Sequence, residues 1–163
     1  MPYWLLKSEP SVFSIEHLNK LPNQMAAWDG VRNYQARNTL RDDMNLGDLA
    51  FFYHSSCPQP AVVGVVRIVS EAYPDPTATN PKSPYFDERC TKLNNPWVCR
   101  DVQLVAHYHK PVLLSDLRQH QAQLDDFILL RKGTRLSVIP VSPKQWATIC
   151  TFAEDHTHGT VTK

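Results

Sequence analysis

The sequence predicts an α+β domain built on a small mixed or antiparallel barrel. Two observations lead there. Short strand-like segments are broken by short helices with no regular strand–helix–strand alternation and no internal repeat. The chain also carries 13 prolines against 5 glycines in 163 residues, which favours long, stiffened loops over flexible linkers or a Gly-rich phosphate cradle. This length suits one domain, able to bury roughly 70% of its unfolded surface.

The first strand is Tyr3 to Lys7, ended by Ser8-Glu9-Pro10, where proline removes a ladder donor and forces Glu9 into an extended backbone. Ser14 has the position of an N-cap, with Phe13 and Leu18 at the spacing of a hydrophobic staple around a helix from Ile15 to Lys20. Residues 28–42 read as a helix: Ala36, Leu40 and Met44 form an apolar stripe, and Asn33, Arg37 and Arg41 lie four apart on another face. Leu46-Gly47-Asp48 is a turn before a strand from Leu49 to His54, and Ala61 to Val69 is apolar enough to be a strand buried on both faces. Residues 70–96 hold five prolines and read as a long loop, the kind that serves function in compact domains. From Val102 the chain alternates, with Val102, Leu104, Ala106 and Tyr108 on one face of a strand that runs to His109. Ser115 is placed to cap a helix to about Gln123, Phe127 to Arg131 has no assignable pattern, and Leu136 to Val141 is the last strand. Ser142, Pro143 and Gln145 then spell a capping box with proline at the first helical position. Val141 and Trp146 form the staple, and Trp146, Ile149 and Cys150 share the apolar face. The domain is expected to span 1–152, with 153–163 a tail that frays.

Composition narrows the function. Seventeen Lys and Arg against 16 Asp and Glu leave a formal charge of +1, which argues against a protein that coats a duplex by counterion release. No segment approaches the length of a membrane span, and the first residues lack the features of a secretory signal, so a soluble chain, cytoplasmic or nuclear, is expected, with the cytoplasm preferred. Cys57, Cys90, Cys99 and Cys150 form no Cys-x-x-Cys pair and are expected as reduced thiols. His107 and His109 share a strand face but have no third ligand, so neither a metal nor a cofactor is expected. There is no nucleophile elbow, Gly-rich nucleotide loop or metalloprotease helix. Ser8, Glu9 and His54 offer the groups of a triad without a spacing rule to support it.

Three constellations remain. Lys7-Ser8-Glu9 end a strand before a proline and offer donors and acceptors suited to a base edge, or simply a solvated strand end. Trp28 beside Asp29-Gly30 is either a stacking platform or a core tryptophan, and Arg32, Arg37 and Arg41 either bind phosphate or form a solvated basic face. His54, at the end of Phe51-Phe52-Tyr53-His54-Ser55, is either a ligand contact or a satisfied buried histidine.

Taken together, the segments Tyr3–Pro10, Trp28–Asn38, Phe51–Ser55, Glu71–Asp75 and Arg135–Val138 resemble the EVE-domain family of the PUA-like superfamily, and within it the bacterial members of the thymocyte nuclear group. The resemblance runs from Tyr3 to Cys150. It implies a PUA-like pseudobarrel of mostly antiparallel strands with surrounding helices and a concave pocket linked to modified bases; the leading expectation is a non-catalytic reader of a methylated or hydroxymethylated base in DNA or RNA. Carried onto this chain, it implies a base pocket of Lys7, Ser8, Glu9, Trp28, Asn33, Tyr34, His54, Ser55 and Ser137, with phosphate held by Arg32, Arg37 and Arg41. An RNA-binding module acting on tRNA or rRNA, and an enzyme acting on a modified nucleoside, are the competing readings. Ile139 stands where the family often has Gln, which bears on specificity if that position faces the pocket.

Overall fold

The structure, a computed structural model, describes residues 2–157. Seven strands form one sheet: β1 (Tyr3–Ser8), β2 (Met25–Trp28), β3 (Leu49–His54), β4 (Ala61–Ile68), β5 (Tyr73–Pro74), β6 (Val98–Leu113) and β7 (Val138–Val141). The order is β2-β6-β4-β3-β1-β7, with β5 paired to β6, and every pairing except β1 with β3 is antiparallel. Four helices pack around it: α1 (Ile15–Lys20), α2 (Tyr34–Asn38), α3 (Leu114–Gln119) and α4 (Pro143–Thr157). This is the expected α+β, mostly antiparallel architecture.

Strand periodicity sorts side chains onto two buried faces. Trp4 and Leu6 of β1, with Ala50 and Phe52 of β3, face a cluster closed by Ile15, Leu18, Ala36, Leu40 and Met44 of the α1–α2 region. Leu5, Phe51 and Tyr53 face a second cluster closed by Leu117, Leu124, Phe127, Ile149 and Ala153. The near-continuous apolar run of β4 follows, because both of its faces are covered. Gly64 sits in β4 where any Cβ would collide with the Ala106 carbonyl and the Ile15 side chain. Ile139 is fully buried in the second cluster, opposite Leu5, so it belongs to the core face and not to a pocket.

The caps follow the sequence. Ser14 and His17 exchange hydrogen bonds at α1, with a histidine in the place usually taken by Glu or Gln. Ser142 and Gln145 do the same at α4, and Trp146 stacks on Phe51 and Tyr3 at ring separations of 3.9 and 4.4 Å.

The structure departs from the expected elements at several places. Residues 28–42 are not one helix: Trp28 ends β2, and α2 begins at Tyr34 and passes into a wider turn over Thr39–Asp43. Gly30, at φ +81, breaks the helical path. β6 continues to Leu113 rather than ending at His109, and its inward face changes along its length. Val65 pairs with Ala106 and Val66 with Leu104, so Val105 is an extra residue. Val102 and Leu104 therefore face the first cluster, and Ala106 and Tyr108 the second. α3 starts at Leu114, one residue before Ser115, without a side-chain cap. The stretch 70–96 is not bare loop, since it holds β5 and a 3-10 turn over Pro76–Thr79. At the C-terminus α4 crosses residue 152 and reaches Thr157. The part of the tail after residue 157 lies outside the described residues.

Candidate functional site

On the first-cluster side of the sheet, the end of β1, the end of β2 and the start of β7 surround a cavity of about 860 Å³. Its size lies in the range of small-ligand sites. Lys7, Ser8, Glu9, Trp28, Ser55 and Ser137 all line it, so the structure brings six of the nine expected base-pocket residues together. Backbone pairing explains the convergence. The Lys7 N–H donates to the Ser137 carbonyl at 2.9 Å, and the Ser55 N–H donates to the Ser8 carbonyl at 2.9 Å.

Trp28 forms part of one wall and is only 6% exposed. Phe52 and Phe13 hold it edge-to-face, with centroids at 5.2 and 6.2 Å and interplanar angles of 87° and 79°. Its ring is fixed before anything binds. Around it, Val12, Phe13, Leu21 and Ala26 give an apolar side. Glu9, Asp29 and Tyr85 give an electronegative one. Burial first, then the Asp75 charge, push the Asp29 carboxyl above its ordinary value against the pull of its own backbone N–H and Arg32. Burial, then the charges of Asp29 and Glu9, raise the Tyr85 hydroxyl. Burial lowers the Lys7 ammonium, which has no ion-pair partner among the described residues.

The other expected residues lie outside this lining and have intramolecular work. The Asn33 side chain caps α2 by accepting the Ala36 N–H at 3.0 Å. Tyr34 is exposed and stacks on Trp97 at 4.7 Å. His54 Nε2 accepts the Ile15 N–H at 3.1 Å, and burial holds its pKa below the ordinary histidine value. The three arginines are engaged as well. Arg37 donates to the Asn38 side chain and the Pro96 carbonyl, and Arg41 pairs with Asp42. Arg32 donates to Asp75, Thr77, Val31 and the Tyr85 carbonyl, with its guanidinium 5.4 Å from the Trp97 ring centre.

Asp75 is the residue the sequence pattern did not single out. Its side chain is fully buried and accepts from Gly30 N–H, Arg32, Thr77 N–H and the Thr77 hydroxyl. Burial alone would raise its pKa, but these bonds from Thr77, Gly30 and Arg32 outweigh burial and hold it below the ordinary value. Asp75 thereby ties the 29–33 segment, which carries one cavity wall, to the 75–85 loop. A signal existed in Asp75-Pro76-Thr77, the signature of a side chain capping a turn. Tyr85 closes the same wall and separates the cavity from a more open depression of about 480 Å³ beside Phe86, Arg89 and Trp97. Behind α2, buried Arg100 donates to the carbonyls of Leu40, Met44 and Ser70. Its parity with Val102 and Leu104 was the signal that it points inward.

All four cysteines are free, and among the described residues no three His, Cys, Asp or Glu side chains are placed to hold a metal ion. No described helix is long and apolar enough to cross a membrane.

The EVE domain family matches residues 2–152. Thymocyte nuclear protein 1 of Gallus gallus is 41% identical over 172 residues, covering 96% of this chain and 70% of its own length. A Pseudomonas putida protein of known crystal structure is 53% identical, with a TM-score of 0.87 over 93% of this chain and 99% of its own. Human THYN1 protein, solved in complex with 5-methylcytosine-containing DNA, is 39% identical, with a TM-score of 0.88 over 94% of this chain and 98% of its own. The chain belongs to the EVE-domain family.

Proposed function

We propose that this protein is a non-catalytic nucleic-acid-binding module that reads a flipped, methylated or hydroxymethylated base in the cavity beside Trp28. The observation that carries the reading is the complex of human THYN1 protein with 5-methylcytosine-containing DNA, on a fold that this chain shares along nearly its whole length. The cavity suits such a ligand. The Trp28 indole, packed in the core with its position preset by Phe13 and Phe52, gives the cavity wall an aromatic contact for an inserted base. Glu9 and Asp29 can accept from an exocyclic amine, the donor that cytosine presents. Lys7, Ser55 and Ser137 supply donors for ring nitrogen and carbonyl, and the apolar side accommodates an added methyl group. A base that is already weakly stacked or paired enters at the smallest cost.

The engagements of Ser8 and His54 support a reader over an enzyme. The Ser8 hydroxyl donates to the Phe13 carbonyl at 2.6 Å, and His54 Nε2 is occupied by the Ile15 N–H. These bonds do not set up a nucleophile with its base. We place the protein in the cytoplasm, a compartment whose reducing conditions suit four free thiols.

The test is titration of oligonucleotides that differ only in cytosine, 5-methylcytosine or 5-hydroxymethylcytosine at one position, in deoxyribo and ribo form. The expected result is a preference for a modified base of about 10-fold or more, the scale of one methyl group in an apolar site. Trp28→Phe, checked for folding by circular dichroism, should lower affinity for every strand. Equal affinity for all bases rejects the reading, and tighter binding of the ribo strands moves the assignment to RNA.

A further inference from the structure

We propose that the phosphates of the bound strand are held by a cationic lip at the cavity mouth, made by Lys132 and Arg135 of the segment joining residue 130 to β7. The proposal rests on the base-reading cavity above and identifies how the strand outside that cavity is gripped.

Charge bookkeeping points to this segment. Between Asp126 and Glu154 the sequence holds no acidic residue but four cations, Arg131, Lys132, Arg135 and Lys144. The fold neutralises two of them. Arg131 pairs with Asp126 at 2.8 Å and Lys144 with Asp125 at 3.1 Å. Lys132 and Arg135 are exposed and have no carboxylate partner among the described residues. Two positive charges are left over on a chain whose formal total is only +1.

Their position fits the task. Thr134 and Arg135 line the cavity, and two residues on, Ser137 is tied to β1 by the Lys7 N–H. Gly133, at φ +77 with open space around it, turns the segment between exposed Lys132 and the lining residue Thr134. A flipped base carries its own flanking phosphates to the rim of the pocket that receives it. An arginine fork with no competing carboxylate is the group best matched to a phosphate there. The arginines of the α2 region are poor substitutes, because Arg32 and Arg41 already face carboxylates and Arg37 already donates to Pro96 and Asn38.

The experiment is the salt dependence of binding, followed by fluorescence anisotropy with a 5-methylcytosine oligonucleotide. Each phosphate contact contributes about 0.7–0.9 to the slope of log affinity against log salt. Lys132→Ala with Arg135→Ala should lower that slope by about 1.5, an approximately eightfold smaller loss of affinity over a fourfold rise in salt. Binding of the free nucleoside 5-methylcytidine, followed by chemical-shift titration, should not change. Arg135→Lys should retain the slope, and Arg41→Ala should leave it unchanged. A double variant with the wild-type slope, or a fall in slope with Arg41→Ala instead, overturns the lip. If the wild type shows no preference for the modified base, the base reading fails on its own, because the slope measured on an unmodified strand still tests the lip. A wild-type protein that binds no strand overturns both.

Discussion

Replacing Arg32 by alanine separates two roles that the sequence allowed for it. A phosphate-binding Arg32 would be dispensable for folding. The structure instead gives it five donated hydrogen bonds, one of them to a fully buried carboxylate at 3.0 Å. Breaking a buried pair by removing one partner costs about 3–5 kcal/mol, because the other charge is left uncompensated. Two features place Arg32→Ala at the lower end. The Arg32 side chain is 22% exposed, and Asp75 keeps its bonds from Gly30 and Thr77. The expected loss is about 3 kcal/mol, a fall in Tm of roughly 6–12 °C for a chain of this size. Urea unfolding followed by tryptophan fluorescence measures it. A double-mutant cycle with Asp75→Asn should show strong non-additivity, because both changes break the same pair. Binding should weaken, since the Tyr85 carbonyl loses both of its bonds from Arg32, while the salt slope stays at the wild-type value. A stability change under about 0.5 kcal/mol, together with a slope reduced by about one, would refute the reasoning and return Arg32 to the phosphates.

Two further outcomes follow from the same wall and from β3. Gly30→Ala places a Cβ 2.7–2.9 Å from three carbons of the Tyr85 ring at a φ of +81, so about 2–3 kcal/mol of stability should be lost. Adding Tyr85→Ala should relieve the clash and leave the backbone cost, so the second change should recover stability in the Gly30→Ala background that it would not give the wild type. His54 is neutral in the fold because burial, reinforced by His107 and opposed by Glu16, depresses its pKa, and its Nε2 must accept the Ile15 N–H. With the folded value below the unfolded one, its contribution is complete above about pH 6.5 and declines as the pH falls towards the folded value. The urea midpoint should drop between pH 7.5 and 5.5, and His54→Gln, which keeps an acceptor without titrating, should flatten that part of the profile.

Local chemistry made β1, β3, β4, β7, α1 and α4 legible, since caps, staples and alternation are written within a few residues. β2 was not legible: Met25-Ala26-Ala27-Trp28 has weak strand propensity and is extended because it pairs with β6 from Arg100 to Gln103, far along the chain. The face change in β6 was hidden because Leu104, Val105 and Ala106 are all apolar, and only pairing with β4 shows which one is extra. The same distinction runs through the site. Lys7, Ser8 and Glu9 were readable as a polar strand end, and the backbone pairing of β1 delivers them to the cavity. The arginines were readable as cations but not as occupied ones, because Asp75, Tyr85 and Pro96 lie 43 to 59 residues from the arginines they engage.

That occupancy changes what a net charge of +1 means for binding. Of the cations beside α2, each has an intramolecular acceptor, and near β7 two of four are neutralised by Asp125 and Asp126. What these two groups leave for a polyanion is Lys132 and Arg135, a short clamp beside the cavity and not a track along a duplex. On the proposed reading, two phosphate contacts make affinity only mildly salt-dependent, so the fit of one base against the Trp28 wall must supply the selectivity. The fixed parts of the molecule are arranged accordingly. Phe13 and Phe52 set the Trp28 ring, and Asp75 sets Gly30, which in turn leaves room for Tyr85. A cavity held this rigidly loses little conformational entropy when it closes on a base, which is how a nearly neutral surface can bind nucleic acid through a single nucleotide.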